Sequence, residues 1–209
     1  MSAELSDICG LGLDMYEIRK HKIELRRKYL ARRAALAPEE RAAMDERICR
    51  NILASAAYRY ADILLLFYPV KDEVDVLPIA RAARAAGKRV AFPRCRAEDH
   101  SMTFHFADSE EDLEDGMYHL KEPKAELPVF NPSDPASGNV LCIVPAVVYD
   151  RRGYRVGYGG GYYDRYFGKF KPTSVGVAYE EFILDSVPHG RFDISVDVVI
   201  SERGIYAGK

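Results

Sequence analysis

A chain of 209 residues, 48 % hydrophobic and 30 % charged, has apolar side chains enough for one sizeable α/β domain and is short for two. Its net charge of −2 lacks the basic excess of a nucleic-acid binder, and no apolar run approaches the roughly 18–20 residues that cross a bilayer. The opening MSAELSDICGLGLDMYEIRK is acidic where a secretion signal is basic, and Cys9, Cys49, Cys95 and Cys142 form no CxxC pair, so reduced thiols in a cytoplasmic protein are expected.

Whether residues 1–15 are ordered is left open by their pattern. From Glu17 to Leu36, Leu25 and Tyr29 lie four apart, with Leu30 and Leu36 nearby and arginines and lysines between them, predicting a helix with a basic outer face. Pro38, Glu39 and Glu40 suit a helix start, and Met44, Ile48 and Ile52 continue it at four-residue intervals. The run Ile63 to Tyr68 reads as a strand buried on both faces, ended by Pro69. A helix from Leu77 to Ala86 stopped by Gly87 follows, then a strand from Arg89 to Phe92 before Pro93 and an alternating strand from Met102 to Phe106. Residues 107–139 read as a long irregular connection, and Val140 to Val148 as one buried strand. After a glycine-rich loop come a helix from Tyr162 to Phe170 and strands at Ser174–Tyr179 and Val196–Ile200. Strands alternating with helices predict one α/β domain over residues 1–209, a mostly parallel sheet flanked by helices with an N-terminal helical pair. In open sheets of this kind ligands bind beyond the carboxyl ends of the strands, which directs attention to the segments after Phe67, Phe92 and Val148.

The segment Gly153-Tyr154-Arg155-Val156-Gly157-Tyr158-Gly159-Gly160-Gly161-Tyr162-Tyr163-Asp164 joins a buried strand to a helix. Its glycines let the backbone approach an anion closely, and Arg155 could add a side-chain charge. A P-loop is excluded because Tyr162 and Tyr163 stand where it needs lysine and Ser or Thr, and a dinucleotide fingerprint because Tyr162 replaces its third glycine. A turn merely tightened by glycine is the plainer reading. Asp164 in the first helical turn either stabilises the helix dipole or holds magnesium beside a phosphate. Asp197, inside Val196-Asp197-Val198-Val199-Ile200, is either metal-bound or a strand-end residue facing water. A non-enzymatic phosphoanion-binding module and a sugar-phosphate isomerase share this frame.

The run VPAVVYDRRGYRVGYGGGYYDRYF resembles the C-terminal signature of the 5-formyltetrahydrofolate cyclo-ligase (methenyltetrahydrofolate synthetase) family. The resemblance extends through Lys22-Ile23-Glu24-Leu25-Arg26, Pro38-Glu39-Glu40-Arg41, Tyr68-Pro69-Val70-Lys71-Asp72-Glu73-Val74-Asp75 and Val196-Asp197-Val198-Val199. It implies an ATP- and Mg²⁺-dependent ring closure of 5-formyltetrahydrofolate to 5,10-methenyltetrahydrofolate, by a monomer serving small-molecule substrates and no nucleic acid or membrane. By the same resemblance Lys22 and Arg26 meet ATP phosphates, and Tyr68 and Glu73 meet the folate. The loop from Arg155 through Val156, Gly157, Tyr158, Gly159, Gly160, Gly161 and Tyr162 to Tyr163 would hold ATP. Tyr158, the three glycines and Tyr162 would also border the folate, with Arg155, Gly159, Gly160 and Tyr162 nearest the reacting groups. Asp164 and Asp197 match the family's magnesium ligands. Two departures stand out: many members have glycine at Ala146, and some have lysine at Gly160, which leaves phosphate binding to backbone and arginines, Arg94 among the candidates. His21, His100, His105 and His119 read as ordinary histidines; His189, shortly before Asp197, is either another such histidine or a neighbour of the site.

Overall fold

The computed structural model describes residues 14–116 and 120–208, so that Cys9, His119 and residues 1–13 of the open N-terminal stretch lie outside it. Asp14 caps helix α1 (Met15–Ala34), its side chain accepting from the Glu17 amide at 2.9 Å. Only Tyr29 and Arg33 of α1 are buried. Helix α2 (Pro38–Ala54) starts on Pro38 as predicted and buries Ile48, Cys49 and Ile52. A short helix α3 (Ala56–Tyr60), absent from the sequence reading, leads into strand β1 (Ile63–Leu65).

Helix α4 (Leu77–Ala85) connects β1 to β2 (Arg89–Arg96), which pairs with β3 (Ser101–Phe106). Pro93 was expected to end β2, yet the strand runs three residues past it. The reason lies in the register: Pro93 faces Phe104, whose carbonyl points away to the Phe130 amide (2.7 Å). The missing Pro93 N–H therefore falls on the side where β1 has already ended, and no ladder bond is lost. The connection expected to be irregular contains a small hairpin, β4 (Leu113–Asp115) with β5 (Lys121–Pro123).

The expected strand from Val140 to Val148 is two strands, β6 (Val140–Pro145) and β7 (Val148–Asp150). Between them the Ala146 carbonyl accepts from Arg33 and the Val147 amide donates to Val156, so the backbone leaves one sheet for another. β7 pairs with β8 (Arg155–Val156) and β10 (Ile183–Leu184) in a three-stranded sheet. The fully buried Asp150 carboxylate ties that sheet's turns together, accepting from the amides of Arg152, Tyr154 and Val187. Helix α5 (Tyr162–Phe167) stops at Gly168, three residues short of the expected end.

The central sheet is completed by β9 (Thr173–Val177), β11 (Val198–Ile200) and β12 (Ile205–Ala207) in the order β12-β11-β9-β6-β1-β2-β3. Its five inner strands are parallel, with antiparallel β12 and β3 at the edges. Leu64, Leu65, Leu141, Cys142, Ile143 and Val144 have no accessible surface, as strands covered on both faces require. No helix among the described residues is long and apolar enough to cross a membrane.

Gly176 in β9 lies directly under the Tyr149 ring, where a Cβ would come within 2.4 Å of Tyr149 Cζ. Tyr149 cannot swing away cheaply, because it is fully buried and its hydroxyl donates to the Val144 carbonyl. Gly176→Ala should lower stability by about 1–3 kcal/mol through overpacking, read as a reduced denaturation midpoint; an unchanged midpoint would mean that β7 packs loosely on the main sheet.

Candidate active site

The glycine loop leaves β8 and enters α5 through two left-handed positions, Gly159 (φ 109°) and Gly161 (φ 69°), which residues with a Cβ avoid. Two arginines take its outward carbonyls: Arg26 Nε donates to Gly157 O (2.7 Å) and Arg165 Nη1 to Gly160 O (2.6 Å). Gly161 has no side-chain cap, and among the described residues the amides of Tyr158, Gly159, Gly160 and Gly161 donate no backbone hydrogen bond. The Arg26 guanidinium also lies 3.4 Å from where a Gly159 Cβ would stand, and burial lowers its pKa. Such a loop offers donors and a cation to an anion.

Lys22 lies one turn before Arg26 on α1. Its Nζ donates to Asp193 Oδ1 (2.5 Å), and Asp193 Oδ2 accepts from the Gly190 amide (2.7 Å). Asp193 escaped the sequence reading, since nothing in an irregular loop marks it. His189, on the same loop, stacks on Tyr154 with ring centroids 3.7 Å apart.

Beyond β1 the chain passes Phe67 and Tyr68, whose ring lies 6.2 Å from that of Phe92, and turns through Lys71 at φ 52°. The turn delivers Glu73, 9 % exposed, whose Oε2 accepts from the Val70 amide (3.1 Å). Burial raises the Glu73 pKa, against the opposing influence of the Val70 amide, the Tyr158 hydroxyl and Arg33. Tyr158 belongs to the glycine loop, so the two loops meet at this carboxylate. A cleft lined by Arg33, Phe67, Glu73, Ala146, Tyr179 and Phe182 opens there, beyond the carboxyl ends of β1, β6 and β9.

Arg155 faces inward. It is 8 % exposed, donating from Nη1 to the Ile194 carbonyl (2.7 Å) and from Nη2 to Asp164 Oδ1 (2.9 Å), which also accepts from the Ile194 amide (3.1 Å). Val156 is buried in β8. Tyr162 lies under Gly160, where a Cβ would meet its ring at 2.5 Å, and the His100 ring sits 5.5 Å from it, edge-on. Burial pushes the Tyr163 phenol pKa well up. His100 was read as an ordinary histidine; its φ of 53° on the β2–β3 turn brings it against Tyr162. Arg94 is committed to the β4–β5 hairpin through Glu114 (2.8 Å) and the Pro123 carbonyl (2.6 Å).

Asp164 keeps Oδ2 without a described partner, which suits it to contribute one oxygen to a magnesium ion otherwise held by phosphates and water. Asp197 has other partners: its Oδ2 accepts from the Ser174 amide and hydroxyl, both at 2.8 Å, near the amino ends of β9 and β11. It is exposed there, at the end of the strands opposite the one that leads to Glu73. Among the described residues no three His, Cys, Asp or Glu side chains group to hold a metal.

The family model described as 5-formyltetrahydrofolate cyclo-ligase family matches residues 18–202. A mouse 5-formyltetrahydrofolate cyclo-ligase is 27 % identical over 187 residues, covering 85 % of this chain and 92 % of the mouse protein. The Escherichia coli K12 enzyme of the same name is 26 % identical over 179 residues, covering 84 % and 97 %. The solved structure of Aquifex aeolicus 5,10-methenyltetrahydrofolate synthetase superposes with a TM-score of 0.77 at 31 % identity, over 89 % of this chain and 92 % of that one. With the family model spanning nearly all of the fold and both loops of the cleft, the chain belongs to the 5-formyltetrahydrofolate cyclo-ligase family.

Proposed function

We propose that this protein converts 5-formyltetrahydrofolate to 5,10-methenyltetrahydrofolate with ATP and Mg²⁺, as a cytoplasmic monomer with no nucleic-acid or membrane partner. The observation that carries the reading is the meeting of the glycine loop and the Glu73 loop at Tyr158. One side offers amides and Arg26 to a triphosphate; the other offers a buried carboxylate able to accept paired hydrogen bonds from a pterin's amino and ring N–H groups. Tyr68 supplies an aromatic face at the rim of the second.

The formyl oxygen is a poor leaving group. Transfer of the γ-phosphoryl of ATP to it breaks the bond to ADP and gives an iminium phosphate. The lone pair of N10 then attacks the formyl carbon, the N10 proton passes to solvent, and departure of inorganic phosphate with its bonding electrons leaves the methenyl bridge. Little covalent help is required, which fits a cleft without an activated nucleophile. Alignment and charge neutralisation supply the acceleration. Lys22 and Arg26 hold the polyphosphate, the loop amides cradle its end, and Glu73 fixes the pterin. Asp164 would hold magnesium, which when bound neutralises charge on the phosphates; the placement of Asp197 favours a structural role through Ser174.

The test is growth of the methenyl chromophore on mixing protein, Mg-ATP and 5-formyltetrahydrofolate. Growth that requires all three supports the reading. Growth without ATP would overturn the phosphoryl-transfer step, and no growth with folded protein would leave a binding module.

A further inference from the structure

Arg33 is buried where a basic outer helix face was expected, with 6 % of its side chain accessible. Its guanidinium makes three hydrogen bonds to three separate segments. Nε donates to Asp72 Oδ2 (3.2 Å), one residue before Glu73; Nη1 donates to the Ala146 carbonyl (3.0 Å) at the β6–β7 turn; Nη2 donates to the Tyr158 hydroxyl (2.5 Å) in the glycine loop. Burial works against its charge, but Tyr158, Asp72 and Glu73 outweigh that and raise its pKa. Tyr158 is anchored by its hydroxyl, to Arg33 and at Glu73, while the residue as a whole stays 49 % exposed. A planar fork of five donors can span three such acceptors, whereas a lysine ammonium on a flexible stem cannot hold all three in one geometry.

We propose that Arg33 is a positioning residue which, by gripping Asp72, Ala146 and Tyr158 together, sets the glycine loop against the Glu73 loop and links occupancy of one to occupancy of the other. This rests on the assignment of ATP to the first loop and the folate to the second. In-line transfer tolerates little displacement, since a misplacement near 1 Å costs on the order of 100-fold in rate. Arg33 touches neither reacting atom; it acts through Tyr158 and Asp72.

Arg33→Lys is the informative variant, because it keeps a positive charge beside Glu73 and Asp72 while losing the fork. Two measurements are made on it and on the parent. In ligand-free protein, hydrogen exchange at the bonded amides of Val70, Glu73 and Val147, which flank the Asp72 and Ala146 contacts, should become about tenfold faster, the loss expected for one hydrogen bond to a charged group, with β6 and β9 unchanged. By calorimetry with a non-hydrolysable ATP analogue, saturating 5-formyltetrahydrofolate should tighten nucleotide binding to the parent at least about fivefold, the lower end of ordinary site-to-site linkage, and that ratio should fall towards one in the variant. Tyr158→Phe should produce the same fall, and the double variant no further one. Parent-like exchange in the variant, uniform loosening of the whole chain, or an unchanged ratio would each overturn the proposal, as would independent binding of the two ligands to the parent. Should the parent bind neither ligand, the functional reading fails and loop exchange alone decides the role of Arg33.

Discussion

Glu73→Gln is expected to raise the KM for the reduced folate roughly 10- to 100-fold, the value of a hydrogen bond or two to a charged acceptor, with the KM for ATP little changed. The carboxylate sits at the cleft, buried, with one oxygen already satisfied by the Val70 amide. Glutamine keeps the shape and that acceptor but offers a substrate donor no negative charge. Stability separates this from a structural defect. A carboxyl whose folded pKa is raised binds its proton more tightly folded than unfolded, so its ionisation costs stability as pH rises past the ordinary carboxylate value. Neutral glutamine escapes that cost, and the variant should be at least as stable as the parent at neutral pH. Equal losses for both substrates, or a lowered denaturation midpoint, would make Glu73 a structural residue.

Arg155→Met is expected to lower stability by about 3–5 kcal/mol, the cost of leaving one partner of a buried ion pair uncompensated. Asp164 retains 26 % of its side-chain surface, which sets the expectation at the lower end. The Ile194 carbonyl also loses its donor. Pairing the change with Asp164→Leu should recover much of the loss, because no unpaired charge then remains. Denaturant titration of the three proteins is the measurement. If the single variant is as stable as the parent, the pair carries no structural weight and Arg155 is free for a phosphate.

The mostly parallel character of the sheet was legible because strands alternate with helices and buried strands leave continuous apolar runs, and the glycine loop because left-handed turns demand glycine at Gly159 and Gly161. Errors came where a local signal depended on the neighbouring strand. Pro93 and Pro145 look alike in sequence. The first is harmless because its missing donor lies on the side where β1 has already ended, whereas the second lies where the backbone changes sheets. Arg155, expected beside ATP from its neighbouring glycines and the family resemblance, also bonds to Asp164, nine residues on, and to Ile194, far downstream, partners that no local pattern marks. Arg33 was hidden among the arginines of α1, with partners at positions 72, 146 and 158 that no helical periodicity reveals. Asp197 could be read two ways, and its exposed bonding to Ser174 is that of a strand-end residue.

Of helix α1 only Tyr29 and Arg33 are buried, and much of its remaining attachment is polar: Lys22 on Asp193, Arg26 on the Gly157 carbonyl, Arg32 on Glu181 and Arg33 on its three acceptors. The cations that fasten the first helix thus include Lys22 and Arg26, the two proposed to meet a polyphosphate. Fastenings of this kind loosen with ionic strength, while the oily interior of the sheet does not. A nucleotide entering the cleft would act as an adhesive for the helix that receives it, so the empty protein should peel first at its amino-terminal end.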